Sequence, residues 1–178
     1  MDIRTQQFES LVLPHLDAAY NLARWLLKDD DSARDAVQDA YLRAFRFFDH
    51  LRGEEARPWV LAIVRNTSYS LLGKRRQLGE QVEFDEERDS EFAERSAETG
   101  GGDPATHLFR KIDSARIDVA IERLPSVYRE VIVLRELEEL AYEEIAQVAN
   151  VPVGTVMSRL SRARAMLRAR LGRPDEEG

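Results

Sequence analysis

Phe8, Leu11, Val12, Leu16, Ala19, Tyr20, Ala23, Leu26 and Leu27 recur at the spacing that gathers side chains on one face of an α-helix. Pro14 interrupts the run, so a kink or a delayed start is expected there, and Asp29, Asp30 and Asp31 are expected to end the helix. Ser32 suits the N-cap of a second helix, whose apolar stripe is Val37, Ala40, Tyr41, Ala44, Phe45 and Phe48. Its other face carries Asp35, Gln38, Asp39, Arg43 and Arg46. After a turn-prone stretch at 49–57, Pro58 fits the first position of a third helix. Val60, Ile63, Val64, Thr67 and Leu71 carry that stripe toward Lys74, Arg75 and Arg76, a basic trio that complements the dipole at a helix end.

Helical periodicity then stops. From about Gln77 to Lys111 there is no sustained apolar period, and Gly100, Gly101, Gly102 and Pro104 fall together, so this segment reads as a linker. Beyond it, a helix is expected around 112–123, ending near Leu124-Pro125. Another begins at Ser126 and carries Val127, Tyr128, Val131, Ile132, Leu134 and Leu137. Two more follow. One spans Tyr142 to Ala149; the other runs from about Val153 to Leu171, with Val156, Leu160, Ala163 and Leu167 on its inner stripe. Only Asn150-Val151-Pro152 separates them, which is the pattern of a helix-turn-helix whose second helix can enter a major groove. The expected fold is therefore all-α. It comprises two small helical domains, each closing a core of its own, with limits 1–76, 77–111 (linker), 112–173 and 174–178 (tail).

Charge sharpens this division. The chain of 178 residues has a net charge of -7, yet ten acidic and two basic residues lie between Gln77 and Thr106, and the remainder sums to +1. Six arginines and no acid lie between Thr155 and Arg173, which makes the last helix a candidate phosphate-binding surface. No apolar run approaches the length needed to cross a bilayer, and the N-terminus has no leader-like pattern; a cytoplasmic location without membrane insertion is expected. With no cysteine, thiolate metal sites and disulfides are excluded, and no cofactor or metal is expected.

The motifs now become specific. Leu124-Pro125-Ser126-Val127-Tyr128-Arg129-Glu130-Val131, Tyr142-Glu143-Glu144-Ile145-Ala146 and the run from Val153 to Arg164 resemble region 4 of the extracytoplasmic-function sigma factors. In the N-terminal half, the runs from Asp35 to Ala44 and from Trp59 to Asn66 resemble region 2 of the same family. The resemblance implies a non-catalytic factor that binds core RNA polymerase through its clamp and flap regions and directs initiation at chosen promoters. It further implies service to a stress or envelope regulon under the control of an anti-sigma factor.

Position by position, the resemblance implies that Asp35, Gln38, Asp39 and Arg43 bind core polymerase; without it, these would read as a plain solvated face. Arg65, Asn66, Lys74, Arg75 and Arg76 would hold the minus-ten element, where capture of an unstacked base needs an amide-lined pocket and nearby cations. Trp59 reads as core. Thr155, Met157, Ser158, Arg159 and Arg162 would face the minus-thirty-five element. Arginine pairs bidentately with guanine, whereas Met157, where many relatives carry Lys or Arg, suits contact with a thymine methyl. The acidic linker reads as an extended tether, or, by resemblance, as a segment threading toward the RNA exit channel.

Three rivals make different demands. An enzyme is disfavoured because His15, His50 and His107 are scattered and no Gly-rich phosphate loop follows a strand. A decoy that only occupies anti-sigma factors has little use for a basic recognition helix. A conventional helix-turn-helix regulator would bind DNA without polymerase.

Overall fold

The computed structural model describes residues 1–52, 55–77 and 114–172, and every regular element among them is helical. The first domain holds α1 (Ile3–Val12), α2 (Leu16–Leu27), α3 (Asp30–Arg46) and α4 (Ala56–Gln77). The second holds α5 (Ser114–Glu122), α6 (Ser126–Ile132), α7 (Tyr142–Ala149) and α8 (Val153–Leu171). Most of the acidic 77–111 segment lies outside the described residues, as do His107 and the 174–178 tail.

Pro14 acts as its chemistry requires. It sits inside a 3-10 turn (Leu13–His15) between α1 and α2, where its missing N–H and fixed φ break the α-helical ladder. The expected start of α3 needs correction. Asp29, not Ser32, is the N-cap: its carboxylate accepts from the Ser32 N–H at 2.9 Å and the Ser32 hydroxyl at 2.6 Å. These bonds hold the Asp29 carboxyl below its usual pKa. Asp30 and Asp31 therefore open α3 rather than close α2, with their charge at the favourable end of its dipole. Lys28, in the left-handed region (φ 62°), makes the break, its N–H bonding the Arg24 carbonyl. Helix α4 also begins earlier than expected, at Ala56, which leaves Pro58 in its first turn.

α4 is the centre of the molecule. Val60, Val64 and Thr67 are buried as the stripe predicts, but so are Leu61 and Ser68, and the helix packs on α2 and α3 and on α7 of the second domain. Thr67 and Ser68 turn their hydroxyls back onto the carbonyls of Ile63 and Val64, which satisfies them without an outside partner. α2 likewise packs on α6.

One continuous cluster of buried apolar residues thus runs from Leu22, Leu26, Leu61 and Val64 to Val131, Ile132, Ile145 and Leu160. This departs from the expectation of two self-contained cores. Apolar area left over on each small bundle gains more by facing its neighbour than by facing water. A satellite cluster of Phe8, Val12, Ala44, Phe48 and Val60 fastens α1 to α3, with Phe8 edge-on to Phe45 and Phe48 at 5.2 and 5.5 Å. Trp59 is half-buried and packs on this cluster, close to its expected place.

Candidate nucleic-acid interface

The turn between α7 and α8 is built from three residues with separate tasks. Asn150 ends α7 in the left-handed conformation at φ 56°, which an asparagine tolerates better than most side chains. The Val151 N–H then closes back on the Ala146 carbonyl at 3.1 Å. Pro152 stands extended just before α8, and its carbonyl receives the N–H groups of Thr155 and Val156. The chain is thereby forced into α8 at once.

α8 buries Val156, Leu160, Ala163 and Leu167, the stripe that the sequence predicts, each at 1% exposure or less. Met157, at the edge of that stripe, and Ser158 stand exposed, Ser158 bonding the Thr155 carbonyl at 3.1 Å, while Thr155, Arg159 and Arg162 are half-buried. Not all the arginines are available to DNA. Arg164 is engaged by Glu136 at 3.0 Å, which ties α8 to the turn after α6. That turn is a wider, π-type coil (Val133–Leu137) in which the Glu138 N–H reaches the Val133 carbonyl.

Arg129 has a role that periodicity could not expose. Buried to 3%, it donates to the carbonyls of Glu122 and Leu124 at 2.8 and 3.0 Å and so satisfies the C-terminal end of α5 where Pro125 breaks the helix. Its neighbour Glu130 is wholly buried and faces the first domain. There Arg65 donates Nε and Nη2 to the Glu130 carboxylate at 2.9 and 3.2 Å, and the Tyr69 hydroxyl donates at 3.0 Å. Arg159 brings Nη1 to 4.0 Å from the same carboxylate. Burial opposes charge on Arg65, but the carboxylate outweighs it and raises the guanidinium pKa; burial, with the Glu130 charge behind it, pushes the Tyr69 hydroxyl far up.

The other minus-ten candidates are spread along α4. Asn66 is exposed and receives a 3.3 Å bond from Arg65; Lys74 and Arg76 are exposed at the helix end; Arg75 bonds the Ser32 hydroxyl of α3. On α3, Asp35, Gln38, Asp39 and Arg43 are all exposed on one face, Asp39 and Arg43 pairing at 3.3 Å. Leu42, 65% exposed, shares that face. The sequence signal for it is an apolar residue on the polar side of an otherwise amphipathic helix. No group of acidic, histidine or cysteine side chains able to hold a metal occurs among the described residues, and none of the described helices is long and apolar enough to cross a membrane.

Residues 11–77 match the family model for Sigma-70 region 2, and residues 114–167 that for Sigma-70, region 4. The chain is 34% identical over 159 residues to the RNA polymerase sigma-H factor of Pseudomonas aeruginosa, spanning 88% of this chain and 82% of that protein. To the ECF RNA polymerase sigma-E factor of Escherichia coli K12 it is 34% identical over 131 residues, 73% of this chain and 69% of the other. Among solved structures, the sigma factor RpoE co-crystallised with the anti-sigma factor NepR from Bartonella quintana matches with a TM-score of 0.69 at 25% identity, covering 96% of this chain and 99% of that one.

Proposed function

The chain belongs to the extracytoplasmic-function RNA polymerase sigma factors, which join core polymerase and direct promoter-specific initiation, and on that premise we propose which of its surfaces does what. Asp35, Gln38, Asp39 and Arg43, joined by Leu42, form the polymerase-docking face. The observation that carries this is their shared exposure on α3 while the opposite side of the helix is packed: Leu42 at 65% stands beside Ala40 at 0%. An apolar residue among exposed polar ones, with the Asp39–Arg43 pair beside it, has the anatomy of an interface centre with a polar rim.

Asn66, Arg65, Lys74, Arg75 and Arg76 engage the minus-ten element, and Thr155, Met157, Ser158, Arg159 and Arg162 the minus-thirty-five element. The exposure of Met157 and Ser158 early in α8 favours this reading, since recognition helices contact bases through their N-terminal turns. We assign domain limits of 1–76 and 112–173, no catalytic activity of the chain's own, and a cytoplasmic site of action. Control by an anti-sigma factor is supported by the likeness to a sigma factor crystallised with one, and the kinship with sigma-E proteins favours a stress regulon.

The test is co-elution of the purified chain with core polymerase, followed by transcription in vitro from a library of genomic upstream fragments. Initiation at a limited promoter set, lost in Arg159→Ala, is the expected result. Failure to join active core polymerase would sink the reading, and DNA binding that needs no polymerase would favour a conventional regulator.

A further inference from the structure

We propose that Glu130 is an internal phosphate mimic, holding the free chain closed by occupying one arginine from each DNA-reading surface at once. The inference deepens the proposed assignment of Arg65 and Arg159 and rests on it. Arg65 comes from α4, beside Asn66; Arg159 comes from α8, one residue beyond Ser158. Both converge on a single carboxylate with no exposed surface, at 2.9 and 4.0 Å. The Tyr69 hydroxyl fills a further position on that carboxylate, and the Arg65 guanidinium lies 4.5 Å over the Tyr69 ring.

A carboxylate so deeply buried is stable only with cationic and hydrogen-bonding partners, so the closed arrangement depends on these residues being in place. Arg65 holds Glu130 by hydrogen bonds, and Arg159 faces it by charge with its buried Nη1 making no hydrogen bond; the two guanidinium groups are those that phosphates and base edges require, and they cannot serve both. Promoter reading and closure are therefore mutually exclusive states of one chain. Two further links lie across the same boundary, Arg57 with Glu144 at 2.8 Å and Asn21 with Glu138 at 2.6 Å, so closure is specified at several points and not by apolar contact alone. Core polymerase would open the chain by binding the open form better; a partner with equal affinity for both forms would shift nothing.

The experiment compares the wild-type full chain with Tyr69→Phe and Glu130→Gln. Free-chain affinity for a duplex bearing the minus-thirty-five element found by transcription is measured, with radius of gyration from small-angle scattering and helicity as a folding check. Glu130→Gln is expected to enlarge the free chain and tighten duplex binding on the order of tenfold. Tyr69→Phe, which leaves the second domain untouched and removes one bond, should do so about threefold. If Glu130→Gln does not fold, Tyr69→Phe decides. Folded variants that remain as compact as the wild type, or that open yet bind DNA no tighter, would overturn the clasp. Arg159→Ala distinguishes the two readings in transcription with core polymerase, where the chain is already open: initiation like the wild type would mean that the assignment of Arg159 to DNA fails, whatever the scattering shows.

Discussion

Arg57 and Glu144 meet across the domain boundary in a fork, with Arg57 Nη2 at 2.8 and 2.9 Å from the two carboxylate oxygens and Nε at 3.2 Å. Glu144 does a second thing: from the first turn of α7 it accepts the Ala141 N–H at 3.1 Å and so caps that helix. The pair is about a third exposed, with side chains at 36% and 28%, which limits what its charges contribute. Arg57→Ala should therefore cost below about 1 kcal/mol, while Glu144→Ala, losing fork and cap together, should cost roughly 1–2 kcal/mol. Urea melts of the two variants check the order; equal losses would mean that the cap is idle.

Tyr41 and Tyr69 should ionise late. Burial pushes Tyr41 up to about 12, and Tyr69, also facing the Glu130 carboxylate, lies higher still. Both values are raised above that of an unfolded tyrosine, so the contribution is intact below about pH 10, where the unfolded chain keeps its protons, and is lost as pH rises through the folded values. Thermal stability should fall progressively above pH 10. An absorbance titration should find Tyr41 and Tyr69 resistant until the fold gives way, and Tyr69→Phe should remove one late component.

Leu160 and Met157 lie three residues apart on α8, about 60° from each other around its axis, yet Leu160 is buried at 1% exposure and Met157 stands at the edge of the packed stripe at 54%. Leu160→Ala leaves a cavity and should cost about 2–5 kcal/mol; Met157→Ala should stay within roughly 0.5 kcal/mol. If Met157 reads a thymine methyl, its loss should instead relax base preference at one promoter position, which a randomised-promoter transcription assay would register.

At Asn150, φ of 56° penalises an ordinary β-carbon. Asn150→Ala should lower stability by about 1 kcal/mol and Asn150→Gly by little or nothing, by denaturant unfolding. A glycine variant as damaged as the alanine one would show that the Asn150 side chain, not its backbone, matters.

Leu42 tests the polymerase face. Leu42→Asp should leave the melting curve within roughly 0.5 kcal/mol of wild type, because most of the side chain is exposed, yet weaken co-elution with core polymerase by tenfold or more, on the order expected for an apolar interface centre.

The sequence by itself determined most of the local structure: the break at Pro14, the Asn150-Val151-Pro152 turn and the inward set Val156, Leu160, Ala163 and Leu167 follow from residue type and period, which act over a few neighbouring positions, whereas Leu11, Leu16, Phe45 and Leu137, also members of the expected stripes, stand exposed. Where two polar residues competed for one local task, as Asp29 and Ser32 did at the start of α3, residue type alone did not choose, and the carboxylate won by accepting both the N–H and the hydroxyl of Ser32. The sequence was silent on which side chains meet across the chain. Glu130 and Arg65 are 65 positions apart, and Arg57 and Glu144 are 87. Nothing in a helical period records such a distance, and a buried Glu130 looks in the sequence like any solvated acid. Only the docking of α4 on α7 and of α2 on α6 decided it, because burial removes water as a partner and obliges the carboxylate to find its hydrogen bonds in the other domain.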